Sequence, residues 1–350
     1  MPGVGCLEIC VEFVRGRITL QELKKWDMDV AVLCIFFARP NQFRQCFEQV
    51  KKARPRYLLL WQDGPRPGRE DDVCNIQLCR EIAEDIDWEC EVYRNYHTEN
   101  IGCDPSTFNS HQWAFSIVDK CIILEDDLVP SQSFFHFCKE MLDKYEDDTR
   151  IDRVCGTNVL GMYTDTPYDY FFSTRGHSWG WASWKRVADT WNRNYEFLDD
   201  EYTIMLLNEQ GINPKQQKQW LNRCKMHQEQ GVPYWEEIIG ARALLYNGLI
   251  IYPKYNLVKN VGLDDNSTHT VTEIESLPKI VQQHFMMDAH DLTFPLKHPP
   301  YVMKDTIFEK KCREAAHPSK LTAKIRLKME SVYRKIKTGT FWSTVKRHIS

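Results

Sequence analysis

The sequence predicts an α/β fold built on a mostly parallel, doubly wound sheet. Three observations carry that reading. Short continuous apolar runs at Val30–Phe37, Tyr57–Trp61 and Cys121–Leu124 have the composition of strands covered on both faces. Between them, apolar residues recur at helical spacing: Phe43, Cys46, Phe47 and Val50, then Ile76, Cys79, Ile82, Ala83 and Ile86. Strands that alternate with helices imply parallel neighbours joined by helical crossovers.

The elements follow in order. The first run is ended by Arg39-Pro40-Asn41 and the second by the turn Asp63-Gly64-Pro65. Trp88–Tyr93 alternates apolar and polar residues, as a strand nearer the sheet edge does. Phe108–Val118 reads as a helix and Cys121–Leu124 as the central strand. Phe134, Cys138, Met141, Leu142 and Tyr145 form one apolar helix face. After about residue 150 the rhythm changes. Val154–Val159 and Tyr170–Ser173 read as short strands, and Trp179–Trp184 as an aromatic and small-residue turn leading into a helix. Two polar helices are expected within 200–230, a helix at Trp235–Tyr246, and a strand at Gly248–Lys254. Pro295, Pro299 and Pro300 mark a linker. The division is an amino-terminal extension (1–28), one large α/β domain (29–305) and a basic helical tail (306–350).

Composition narrows the function. With 350 residues and 43 % hydrophobic content, the chain can bury a sizeable core. A net charge of −4 favours neither a nucleic-acid nor a membrane partner for the chain as a whole. Eleven Trp suit a protein that stacks on sugars, and suit an aromatic core equally. The thirteen Cys are scattered, with no C-x-x-C pair, which argues against a zinc ribbon and for reduced thiols. No long apolar run marks a secretory leader or a membrane span, so a cytoplasmic setting is the expectation. From Lys320 onward Lys and Arg are interleaved with Leu321, Ile325, Val332 and Ile336. That pattern is expected to bring the tail to anionic membrane surfaces, peripheral at the inner face.

Glu125-Asp126-Asp127 closes the central strand. Three carboxylates there oppose one another's ionisation, and a hard divalent cation relieves that penalty. The carboxyl end of a strand in such a sheet is also where α/β folds bind ligands. Arg39 follows the first strand and Asp63 the second, so both converge on the same edge. Arg39 can grip a pyrophosphate, and Asp63 can accept a base N–H. Glu236 and Glu237, after Tyr234-Trp235, are candidates for a general base; a helix's first turn also favours acids for dipole reasons alone.

Taken in order, Phe36-Phe37-Ala38-Arg39-Pro40, Trp61-Gln62-Asp63-Gly64, His111-Gln112-Trp113-Ala114, Leu124–Leu128, Ser133-Phe134-Phe135, Gly180-Trp181 and Trp235-Glu236-Glu237 resemble a GT-A glycosyltransferase. The pattern is similar to N-acetylglucosaminyltransferase I. It is closer to the bacterial hemolytic-protein-like nucleotide-diphospho-sugar transferases, with Asn247–Lys254, Asn256-Leu257-Val258, Gly262 and Ser267–Thr270 added. The resemblance covers about residues 30–272. It implies that Arg39 touches the donor phosphates or sugar, Asp63 holds uracil and His111 lies beside the nucleotide. Glu125 and Asp126 would contact sugar and ribose, and Asp127 would bind Mn²⁺ or Mg²⁺. Thr268 and His269 would belong to a loop closing over the donor, and Trp181 and Trp235 would pack on sugar or acceptor. Relatives usually carry Asp after that Trp, so the register of the base, Glu236 or Glu237, stays open. The implied activity is inverting transfer of GlcNAc or another hexose from a UDP-sugar to a glycan or lipid-linked acceptor in surface polysaccharide synthesis. The alternatives are a non-catalytic nucleotide-sugar or carbohydrate-binding module and a metal-dependent phosphohydrolase, which would gather more His than this chain does.

Overall fold

Eight strands form one mixed sheet in the order β3-β2-β1-β4-β8-β6-β9-β7. They are β1 (Ala31–Phe36), β2 (Tyr57–Gln62), β3 (Glu91–Tyr96), β4 (Lys120–Glu125), β6 (Ile151–Cys155), β7 (Tyr170–Ser173), β8 (Trp181–Trp184) and β9 (Leu249–Pro253). β5 (Leu128–Pro130) and β10 (Val258–Asn260) make a separate antiparallel pair. A computed structural model describes residues 28–210, 214–263 and 279–316. β3, β2, β1 and β4 run parallel, as do β6 and β9. β8 is reversed between β4 and β6, and β7 is reversed beside β9. The sheet is therefore mostly parallel and α/β, as the sequence predicts.

The alternation of a strand sorts the core onto two faces. Val32, Cys34 and Phe36 of β1 join the cluster under α1 (Pro40–Ala53), α2 (Glu70–Ala83) and α4 (Gln132–Lys144). Ala31, Leu33 and Ile35 join the opposite cluster, under α3 (Cys103–Ile117) and α8 (Trp235–Leu245). Both sets are buried, so β1 has to be apolar throughout. In α1, Pro40 begins the helix where no backbone donor is needed, and Phe43 and Phe47 anchor it. Truncating either ring would cost about 3–5 kcal/mol. A third cluster gathers Phe171, Tyr252 and Phe308, the last from α10 (Thr306–Ala316). There Glu309 accepts from the Thr174 amide (2.8 Å) and hydroxyl (2.7 Å). These first residues of the expected tail are thus docked on the sheet; the stretch from 317 lies outside the described residues.

Four local expectations are corrected. Trp179–Trp184 is not simply a turn: the chain bends at Trp179 and at Gly180, the latter at φ 65°, and Trp181–Trp184 is an interior strand. Its alternation is masked because all four residues are buried, the small Ala182 and Ser183 as much as the two Trp. The edge strand starts at Glu91 rather than Trp88, which is buried and donates its indole N–H to the Pro55 carbonyl (2.8 Å). β6 ends at Cys155, because Asn158 turns aside to donate to the Pro253 carbonyl (2.9 Å). The proline-marked linker is strapped to the body by buried Leu292 and Leu296. The two polar helices are α6 (Glu201–Gln210) and α7 (Pro214–Gln230). Among the described residues the remaining α-helices are the one-turn α5 (Lys185–Ala188) and α9 (Lys279–Phe285), and Glu196–Asp199 is a short 3-10 helix.

Candidate active site

Parallel strands deliver the residues after β1, β2 and β4 to one edge of the sheet. Because β8 is reversed, the residues before it reach that edge as well. Glu125 is the last residue of β4 and pairs with Ile35, so its side chain continues the face of Cys121 and Ile123, the face covered by α3 and α8. Asp126 is buried, accepts the Phe37 amide (3.2 Å) and is clamped by the Arg39 guanidinium. The same guanidinium reaches Asp127 at 3.1 Å.

One arginine does not neutralise three carboxylates. Burial, then Asp127, Asp126 and more weakly Glu236, push the Glu125 carboxyl above its ordinary range against the pull of Arg39. Burial also raises Asp127, with Arg39 opposing and Asp126 adding to it. Burial disfavours the charge on Arg39, but Asp126 and Asp127 outweigh it and the guanidinium is held charged. The corner has surplus negative potential.

Asp127 is also held by the chain after β10. Its carbonyl accepts the Val261 amide (2.8 Å), and the Gly262 amide donates to the Asn260 side-chain oxygen (2.8 Å). A Cβ at Gly262 would sit 2.2 Å from Asp127 Oδ2, so only glycine lets the carboxylate lie where it does. Among the described residues no three His, Cys, Asp or Glu converge as a ready-made metal cage. A carboxylate corner of this kind fits a hard cation that takes one or two protein oxygens and completes its shell with substrate phosphates.

Asp63 is buried at the end of β2, and its oxygens accept the amides of Gly64 (2.9 Å), Ile101 (3.1 Å) and Gly102 (3.2 Å). Burial raises its pKa more than those three donors lower it. It therefore fastens the 97–102 loop to the edge. Gly64 permits that approach: a Cβ there would meet the Glu99 amide nitrogen at 2.4 Å.

His111 is fully enclosed, with ring centroids of Trp181, Trp235 and Trp191 at 5.2, 5.3 and 6.0 Å. Burial pushes its pKa down to about 3, so it is neutral. Neither ring nitrogen has a hydrogen-bond partner among the described residues. Trp181 and Trp235 are 2 % and 7 % exposed and pack around this histidine, so neither offers an open ring face to a sugar. The trio instead backs the start of α8.

That helix start separates the two glutamates. Glu236 is exposed, lies near Glu125, and accepts the Ser178 hydroxyl at 2.8 Å. Glu237 turns to α7 and pairs with Arg223 at 3.1 Å. Arg39, Glu125, Asp126, Asp127 and Glu236 are thus brought together, whereas Glu237 and His111 face elsewhere. Thr268 and His269 lie outside the described residues. Sequence reasoning missed Ser178 and Trp191, and it picked out Gly262 without a role; each matters through a partner distant in the chain, Glu236, His111 and Asp127 respectively.

Comparison with protein-family models and with curated protein sequences finds no match. Among solved structures, 4-diphosphocytidyl-2C-methyl-D-erythritol synthase from Anaerococcus prevotii is similar at 13 % identity and a TM-score of 0.29, covering 62 % of this chain and 98 % of its own. Mouse xyloside xylosyltransferase 1 is similar at 11 % identity and a TM-score of 0.31, covering 63 % and 81 %. At such scores the likeness carries no functional argument, and the fold rests on the strand order itself. No described helix is long and apolar enough to cross a membrane.

Proposed function

We propose that this chain is a metal-dependent glycosyltransferase that moves a hexose from a UDP-sugar to a glycan or lipid-linked hydroxyl with inversion. The observation that carries the reading is the pairing of Arg39 with Asp126 and Asp127 at the exit of β4, on the edge where Glu236 stands exposed. Asp127 would supply a carboxylate oxygen to Mn²⁺ or Mg²⁺, whose charge, when bound, neutralises the leaving diphosphate. Arg39 lies beside the same carboxylates and would add its fork to the phosphates. Glu125 and Asp126 would orient sugar and ribose.

Glu236 is the base in this reading. Its carboxylate takes the proton of the acceptor hydroxyl, and the freed oxygen forms a bond to the anomeric carbon. The bond from that carbon to the diphosphate oxygen breaks on the opposite side, and its electron pair leaves with UDP. Exposure suits the role, because the base has to meet an incoming acceptor. Glu237, occupied by Arg223, does not serve.

A thermal-shift screen of nucleotides and nucleotide sugars, with and without Mn²⁺, tests the donor half. A UDP-sugar at 100 times its Kd should stabilise the protein by roughly 2.7 kcal/mol only when metal is present. Slow donor hydrolysis without acceptor should accompany binding, and its absence would leave a binding module. NMR of the product tests the other half, since a retained anomeric configuration would exclude single displacement.

A further inference from the structure

We infer that Ser178 is a positioning residue for Glu236, fixing the carboxylate of the base from a loop braced for that purpose; the inference rests on the reading of Glu236 as base. The Ser178 hydroxyl donates to Glu236 Oε1 at 2.8 Å, across 58 residues of sequence. An exposed glutamate on a helix's first turn has several rotamers open to it, and a single fixed donor selects one.

The brace is the backbone on both sides of Ser178. The His177 carbonyl accepts the Cys155 thiol (3.2 Å), the Trp179 carbonyl accepts the Thr157 hydroxyl (2.7 Å), and the Gly180 carbonyl accepts the Gly156 amide (2.7 Å). Three carbonyls flanking Ser178, one before it and two after, are thus bonded to three successive residues, Cys155, Gly156 and Thr157, at the exit of β6. Glycines close the loop on either side. A Cβ at Gly176 would lie 2.5 Å from Arg153 Nη2, and one at Gly180 would lie 2.7 Å from Val258 Cγ2. Gly180 also holds a left-handed φ of 65°. Trp179 adds a ring contact with Phe285 of α9 at 4.8 Å between centroids. A loop tied at this many points presents one hydroxyl at one place. Of the two glutamates at the start of α8, only Glu236 receives it. Pre-organised geometry of this kind matters because a base displaced by about 1 Å can lose on the order of a hundredfold in rate.

The test compares Ser178→Ala, Ser178→Thr, Glu236→Gln and the double variant Ser178→Ala/Glu236→Gln. The probe is the UDP-sugar selected by the thermal-shift screen, with UDP release to water followed in Mn²⁺. Ser178→Ala is expected to lower kcat about tenfold to a hundredfold while donor KM, UDP affinity by calorimetry and the melting temperature stay within error. Ser178→Thr, which keeps the hydroxyl, should recover most of the loss. The double variant should be no slower than Glu236→Gln alone, since a residue acting only through Glu236 has nothing left to position. Full kcat in Ser178→Ala beside a crippled Glu236→Gln overturns this inference and leaves the assignment of the base standing. A proportional rise in donor KM, or losses that multiply in the double variant, also overturns it. An unaffected Glu236→Gln overturns the base and this inference together.

Discussion

The two halves of the site are built on different principles. At the exit of β4 the functional groups are neighbours in the chain, mounted on a strand end and locked by charge: Asp126 is 3 % exposed and shares Arg39 with Asp127. At the start of α8 one exposed carboxylate meets a hydroxyl from 58 residues away. In the proposed reading the first corner would bind the donor with charges held in place. The second can meet a changing partner because its carboxylate remains in water. Donor and acceptor sides of a transfer reaction make those two opposite demands.

The contrast can be broken most sharply at Asp127. Asp127→Ala should abolish metal-dependent UDP binding measured by calorimetry while the circular dichroism spectrum stays native. Removal of one of several crowded carboxylates relieves repulsion rather than breaking the fold. Unchanged UDP affinity would remove the metal from this corner.

On the other side, Glu236→Gln should keep UDP affinity and lose about 10²–10⁴-fold in kcat, while Glu237→Gln should lose no more than a few fold. Equal losses in the two variants would erase the distinction drawn from the Arg223 pair.

Gly262→Ala sharpens the donor side. A methyl 2.2 Å from Asp127 Oδ2 has to displace that carboxylate, and UDP affinity in Mn²⁺ should fall about tenfold with little change in kcat at saturation. Intact affinity would mean that the carboxylate is free to move.

The smallest effect lies behind the acceptor corner. His111 is neutral when folded, with its pKa pushed by burial from the ordinary 6.5 to about 3. Unfolded chains take up the proton below 6.5, so stability is retained above that value and lost as pH falls toward 3. The slope is at most about 1.4 kcal/mol per pH unit. His111→Phe should remove this acid sensitivity, visible as urea midpoints that diverge from those of the unaltered protein between pH 6 and pH 4. Parallel midpoints would show that the histidine is charged or hydrated in place.

The carboxylate corner was legible in the sequence because three carboxylates closing an apolar run are anomalous wherever they occur. Period and composition likewise exposed β1, β2 and β4, whose residues are buried on both faces. The corner at the start of α8 was only half legible. Trp181 and Trp235 are conspicuous in the sequence, yet they sit inside, around His111, because large aromatic rings serve a core as readily as a ligand. β8 was read as a turn, since a reversed strand of four residues has too little length for alternation to be seen. Glu236 and Glu237 are indistinguishable as letters, and what separates them is which neighbour arrives, Ser178 or Arg223. Contacts of that range leave no local pattern to read.

The position of β4 has a consequence for how long the carboxylate corner survives. Among the described residues three strands lie on one side of it and four on the other, whereas β3 is the outermost strand on its side. Amides of an edge strand exchange with solvent through local fraying, but Cys121, Ile122 and Ile123 are paired on both sides, and each amide there is released only when the sheet opens in its interior. In deuterated water the β3 amides should therefore label early and the β4 amides among the last. The acidic cluster is carried on the part of the molecule that opens least often, so its geometry should persist through fluctuations that already loosen the sheet's rim.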